Sequence, residues 1–242
     1  MPASPAAPSE GVEVPSLGRY QTSRRLIKSI ARGGVSNSGG LRRATSNYVR
    51  KGMGGAKRAG ARMAVSAKTA GKVVGFIRAV EQRGFVQAAK DFGLGDLIGK
   101  TPQEIAPVLA EAFLENGGTI DEGISNRAWT ETVIEAIEGD LPDVNAITGE
   151  TMTVMLEDYV TRTIELRLQQ DIGSKILPFS PDVARAQQMK TEIRQLIQGE
   201  VRRAVRPILQ ATARVDRSKL SSVGLRIYRQ TFEYLQQLSA DD

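Results

Sequence analysis

Three kinds of residue cluster in this sequence have the chemistry of ligand or catalytic sites. Gly99-Lys100-Thr101 has the ending of a phosphate-binding P-loop, in which backbone N–H groups cradle phosphate and the Lys neutralises it. That loop needs a Gly five residues ahead of Gly99, yet position 94 is Leu, with Gly93 and Gly95 one step off on either side. Thr101 is better used as a helix cap. Gly52-Met53-Gly54-Gly55 resembles the start of a dinucleotide-binding turn, but Lys57 stands where the third Gly belongs. Its amides could still hold an anion at the start of the following helix; the plainer reading is a joint between two basic helices. Carboxylates form the third group, as Asp121-Glu122, Glu157-Asp158 and the row Glu131, Glu135, Glu138. Spacings of four and three put that row on one helix face, where it either binds a divalent cation or forms a solvated surface.

The chain has neither His nor Cys. Their absence excludes Cys/His zinc sites, thiolate nucleophiles, the Ser-His-Asp triad, disulfides and an imidazole switch. No catalytic residue, metal ligand or cofactor is assigned. A chain without Cys, without a signal-peptide core and without an apolar run of about 18 residues reads as cytoplasmic and not membrane-bound.

Charge falls in blocks. Residues 1–90 carry 17 Lys and Arg against Glu10, Glu13 and Glu81, a balance of +14. Residues 91–171 reverse it, with 4 basic and 17 acidic residues. The remaining 71 residues hold 12 basic and 7 acidic ones. A basic segment beside an acidic body either folds back on it or engages something acidic elsewhere, such as nucleic acid or a partner protein. For nucleic acid the candidate contacts are Arg24, Arg25, Lys28, Arg42, Arg43, Lys51 and Lys57, joined by Arg50 and Arg58. They lack the interleaved aromatics of single-strand binders.

The elements that position these residues read as helices throughout. Aromatics make up only 5% of the chain, so the core is expected to rest on Leu, Ile, Val, Met and Ala, which suit helix packing. Helices are predicted over about 22–32, 41–52, 55–83, 101–116, 121–138, 149–171, 180–206 and 218–238. Within the third, Ala59, Met63, Ala67, Ala70, Val74 and Ile77 share one face. A second row, Ala56, Gly60, Ala64, Ala67, Gly71 and Gly75, consists of small residues that let a neighbouring backbone approach closely. Thr101-Pro102-Gln103-Glu104 spells a capping box with Pro at the first helical position. Pro207 is expected to stop or kink its helix. No stretch alternates as a strand does. The expectation is an all-α, irregular multi-helix bundle with a flexible basic N-terminal arm. It divides into a disordered tail (1–18), a basic helical arm (19–92), a helical core (93–206) and a C-terminal helical extension (207–242).

The stretch Tyr48-Val49-Arg50-Lys51-Gly52-Met53-Gly54-Gly55, followed by Arg58 and Arg62-Met63, resembles the QatB family of the four-gene Qat anti-phage systems. Leu97-Ile98-Gly99-Lys100-Thr101 with Glu104-Ile105, and Ala146-Ile147-Thr148 through Asp171-Ile172-Gly173, are similar to later family segments, so the likeness spans roughly residues 40–205. It implies a non-catalytic adaptor or partner-binding subunit working beside an ATPase, a TatD-like nuclease and a QueC-like enzyme. The partner-binding positions it implies are Tyr48, Arg50, Gly52, Gly54, Gly55, Arg58, Arg62 and Met63. Family members typically open with Met-Gly and a Gly/Ser/Pro-rich tail that looks like a site for modification by the QueC-like partner. Here Pro2 follows Met1, and the region after Pro207 looks longer than usual. The alternative reading is a nucleic-acid-binding protein that uses the basic N-terminal segment.

Overall fold

The computed structural model describes residues 18–31, 38–95, 97–139, 146–172, 183–212 and 219–238. These form ten α-helices: α1 (Gln21–Ala31), α2 (Ser38–Asn47), α3 (Ala56–Arg62), α4 (Ala64–Arg83), α5 (Phe85–Asp91), α6 (Pro102–Ala112), α7 (Ile120–Glu138), α8 (Gly149–Asp171), α9 (Val183–Ala211) and α10 (Leu220–Gln237). A π-helical turn, Tyr48–Gly52, continues α2. No strand occurs among the described residues, and the all-α reading holds. The expected tail lies outside them up to residue 17, as does the expected helix start at Ser180-Pro181.

Two helices, α4 and α8, form the centre. α10, α5 and α7 pack on α4, while α7 and α9 pack on α8. The small residues of α3 and α4 are what allow α10 its position. A Cβ built on Gly71 would lie 2.5 Å from the Leu220 carbonyl oxygen, and one on Gly75 would lie 2.6 Å from Leu220 Cδ1. From the other side, a Cβ on Gly224 would overlap the carbonyl oxygen of Ala67. Each interior Gly costs about 1 kcal/mol of helix propensity, and here backbone-to-backbone contact explains it.

α8 is buried on nearly every side, so its polar residues are inside too. Thr153 and Thr161 donate to the carbonyl oxygens four residues back, at 2.8 Å each, which satisfies their hydroxyls within the helix. Six of the scarce aromatics are gathered into one run. Phe76 meets Phe85, Phe92 and Phe113 edge-on, Phe113 meets Trp129, and Trp129 meets Tyr159. Trp129 Nε1 donates to the Leu109 carbonyl at 2.8 Å. Beyond this run, Tyr159 shares a 2.7 Å hydrogen bond with Ser125 and donates to the Ser66 carbonyl at 3.2 Å.

Local readings are borne out at Thr101, whose side chain accepts from Glu104 N while Glu104 returns a 2.8 Å bond to Thr101 N. Three need correcting. The helix expected over 55–83 breaks at Met63 into α3 and α4. α5 was not foreseen, because seven residues after the positive-φ Gly84 offer too short a window for periodicity. α9 runs through Pro207 to Ala211, for the ring removes one hydrogen bond while Ile208 and Leu209 beyond it are buried.

Two substitutions test the close crossing. Gly224→Ala should lower unfolding stability by about 3 kcal/mol or more, the upper end for a forced overlap. Gly199→Ala, in mid-α9 with nothing within 4 Å of the added carbon, should raise it by about 0.5–1 kcal/mol. Urea unfolding of the purified chain measures both. A second test concerns Tyr159, whose phenol burial pushes up to about 12 against its hydrogen bonding with Ser125, Thr69 and Ser66. A folded value above the unfolded value of about 10 stabilises fully below pH 10 and is lost as pH rises from there through 12. The urea midpoint should fall across that window, and less steeply in Tyr159→Phe.

Candidate functional site

The acid at the end of α8 draws the N-terminal helices together. Asp171 Oδ2 accepts hydrogen bonds from the hydroxyls of Tyr20 and Tyr48, each at 2.9 Å. Arg62 Nη1 donates to the Tyr20 hydroxyl at 2.7 Å, and its Nη2 lies 3.6 Å from Asp171 Oδ1. Arg24 Nη2 donates to the Asp171 carbonyl at 2.9 Å. Four side chains, from the turn before α1, from α1, from the π-helical turn and from α3, thus converge on one residue.

Burial pushes the Tyr48 hydroxyl well up, and the Asp171 charge adds to the effect. Tyr20 is raised chiefly by burial as well. For Arg62 burial works against the charge, yet the bond to Tyr20 and the attraction of Asp171 outweigh it and hold its pKa above the usual value. The cluster is therefore a neutral tyrosine pair set between Arg62 and Asp171.

The π-helical turn sets Tyr48 in this arrangement. Met53 N donates to the Tyr48 carbonyl at 2.8 Å, five residues back, and Gly55 N donates to the Val49 carbonyl at 2.9 Å. Gly52 sits one turn after Tyr48, where the Tyr20 ring stacks on Tyr48 with centroids 5.7 Å apart. A Cβ on Gly52 would come within 2.5 Å of that ring. Gly54 and Gly55 follow with φ of 81° and 92°, a region that side chains other than Gly enter only with strain. Of the amides at this turn, Ala56 N donates to Gln236 Oε1 of α10 at 2.9 Å, which caps α3.

The eight positions implied by the resemblance divide in two. Tyr48, Gly52 and Met63 are buried and Arg62 is half-buried, so they build the joint. Arg50, Gly54 and Arg58 are exposed, with Gly55 between. Among the candidate nucleic-acid contacts, Arg24 is turned inward onto Asp171, while Arg25, Arg43, Lys51 and Lys57 are exposed and Lys28 and Arg42 are half-buried.

Residues 54–235 match the family described as Qat anti-phage system associated protein QatB. The chain belongs to the QatB family. The match covers three quarters of the sequence and includes α10, beyond residue 205 where the likeness seen in the sequence ended. No curated protein and no solved structure matches the chain. No helix of the described residues is long and apolar enough to cross a membrane.

Of the row Glu131, Glu135 and Glu138, the first two join an ion-pair network. Arg162 engages Glu131 at 3.2 Å, Asp158 at 2.6 Å and also Glu135, while Arg194 reaches Asp158 at 2.7 Å. Among the described residues no group of three or more acidic side chains could hold a metal ion.

Sequence reading missed Asp171, Tyr20 and Gln236. One signal was available for Asp171: an acid at a helix C-terminus opposes the helix dipole, so it needs partners, and here it has them. Asp171→Asn keeps the shape but removes the charge facing Arg62. It should cost about 1–3 kcal/mol of stability, read by urea unfolding, and Tyr48→Phe should cost less.

Proposed function

We propose that this QatB-family protein is a non-catalytic adaptor of an anti-phage defence complex. It would bind one or more of the ATPase, the TatD-like nuclease and the QueC-like enzyme of that system. The carrying observation is the fate of the motif Tyr48 to Met63. Its most restrictive residues, Tyr48, Gly52 and Met63, are spent on a buried joint between helices and do not converge on a cavity as a catalytic set would.

The distribution of apolar surface supports the same reading. Every exposed large hydrophobic side chain among the described residues lies at position 98 or later, with Ile120, Ile134 and Val154 on α7 and α8. A protein partner covers such side chains at the centre of its contact. The partner therefore docks on the helical body, and the joint at Asp171 fixes the basic helices to that body. Residues 1–17 supply the segment on which a QueC-like partner would act.

Co-expression with the neighbouring gene products tests this. A stoichiometric complex should survive size-exclusion chromatography, and the triple variant Ile120→Glu, Ile134→Glu, Val154→Glu should fold but fail to join it. A chain that stays monomeric with every neighbour overturns the proposal. Intact mass of the co-expressed protein reports modification of residues 1–17 directly.

A further inference from the structure

The acidic middle of the chain is neutralised from within, mostly by its own arginines and those of α9. Arg162 and Arg194 engage Glu131, Glu135, Asp158 and Glu165. Arg202 and Arg206 flank the buried Glu157, and Arg206 also reaches Glu150 at 2.7 Å. The basic N-terminal helices add Arg62 on Asp171, Lys68 and Lys72 on Glu115 at 2.8 Å each, and Arg83 on Asp91 at 2.8 Å. Four exposed cations near the motif turn stand apart from these pairs.

Arg50, Lys51, Lys57 and Arg58 are all exposed, and none makes an ion pair among the described residues. They sit on either side of one short turn. Gly55 N bonded to the Val49 carbonyl draws the start of α3 onto the π-helical turn, and Gln236 caps it there. Arg58 folds back over the turn: a Cβ on Gly54 would lie 3.0 Å from Arg58 Cδ and 3.4 Å from its Nη1. Two further properties identify the occupant. The sequence has no acid between Glu13 and Glu81, so nothing on these helices repels a polyanion. The face also shows no exposed large apolar side chain, and Tyr20 and Tyr48 beside it are buried.

From this we infer that the face formed by the π-helical turn and α3 binds the phosphate backbone of double-stranded nucleic acid, without reading sequence. A protein contact has an apolar or aromatic centre, which this face lacks. A single-strand site stacks bases on exposed rings, which it also lacks. Clustered exposed cations without either fit the polar, strongly positive character of duplex-binding surfaces. The inference is independent of the adaptor reading, which places protein contacts on α7 and α8.

The test uses the full chain alone and a fluorescein-labelled 20-base-pair DNA duplex of arbitrary sequence, followed by anisotropy across salt. Four phosphate contacts predict a slope of log K against log salt near −3.6, hence about 150-fold weaker binding at 200 mM than at 50 mM. The variant Arg50→Gln, Lys51→Gln, Lys57→Gln, Arg58→Gln should lose at least about 10-fold at low salt and most of the slope. A control removing the same four charges elsewhere, at Lys100, Lys190, Lys219 and Arg226, should lose far less. Circular dichroism melting confirms that both variants are folded. A flat salt response overturns the inference, as does a quadruple variant that binds like the native chain or a control that loses as much. Tighter binding to a single strand of equal length would refute the duplex assignment. If the quadruple variant keeps duplex affinity but no longer co-purifies with Qat neighbours, the face belongs to an acidic protein and the inference is wrong.

Discussion

The crossing of α10 over α3 and α4 is the contact on which the arrangement depends. Close approach of two helices needs residues without side-chain bulk, and Gly60, Gly71, Gly75 and Gly224 provide it over four turns. Once α10 lies in that groove, Gln236 at its far end is brought to the start of α3, where its side-chain oxygen caps Ala56 and its backbone oxygen accepts from Ser46. The glycines therefore act at a distance, because the position of the motif turn follows from how deeply α10 sits.

Asp171 complements this from the opposite side. Its carboxylate gathers two tyrosines and an arginine that are far apart in sequence, and its carbonyl takes a fourth contact from Arg24. Removing an acid from water is costly unless it is paired and hydrogen-bonded, and here every requirement is met by the N-terminal helices. The same residue thus needs those helices and fixes them, which ties the basic segment to the body more firmly than general attraction between blocks of opposite charge would.

The two ways of satisfying a segregated charge pattern are both present, on different faces of the same helices. Arg62 meets Asp171, and Lys68 and Lys72 meet Glu115; Arg50, Lys51, Lys57 and Arg58 make no ion pair among the described residues, while the arginines of α8 and α9 engage acids of the middle block. Net charge by block did not distinguish these outcomes. Facing did.

Local signals in the sequence determined the helices themselves: the capping box at Thr101, the span of α8, the small-residue row on α3 and α4, and the absence of His and Cys chemistry. Each depends on neighbours within a few residues, where propensity and periodicity act. What the row of glycines contacts was decided only by the tertiary structure, as were the partners of Asp171 and the passage of α9 through Pro207. A glycine's spacing shows that something comes near, but not which helix. Likewise, the motif Tyr48 to Met63 could be recognised from the chain alone, whereas its division into a buried joint and an exposed cationic face required knowing where Tyr20 and α10 lie. Burial is set by segments up to about 190 residues away, beyond the reach of any local pattern.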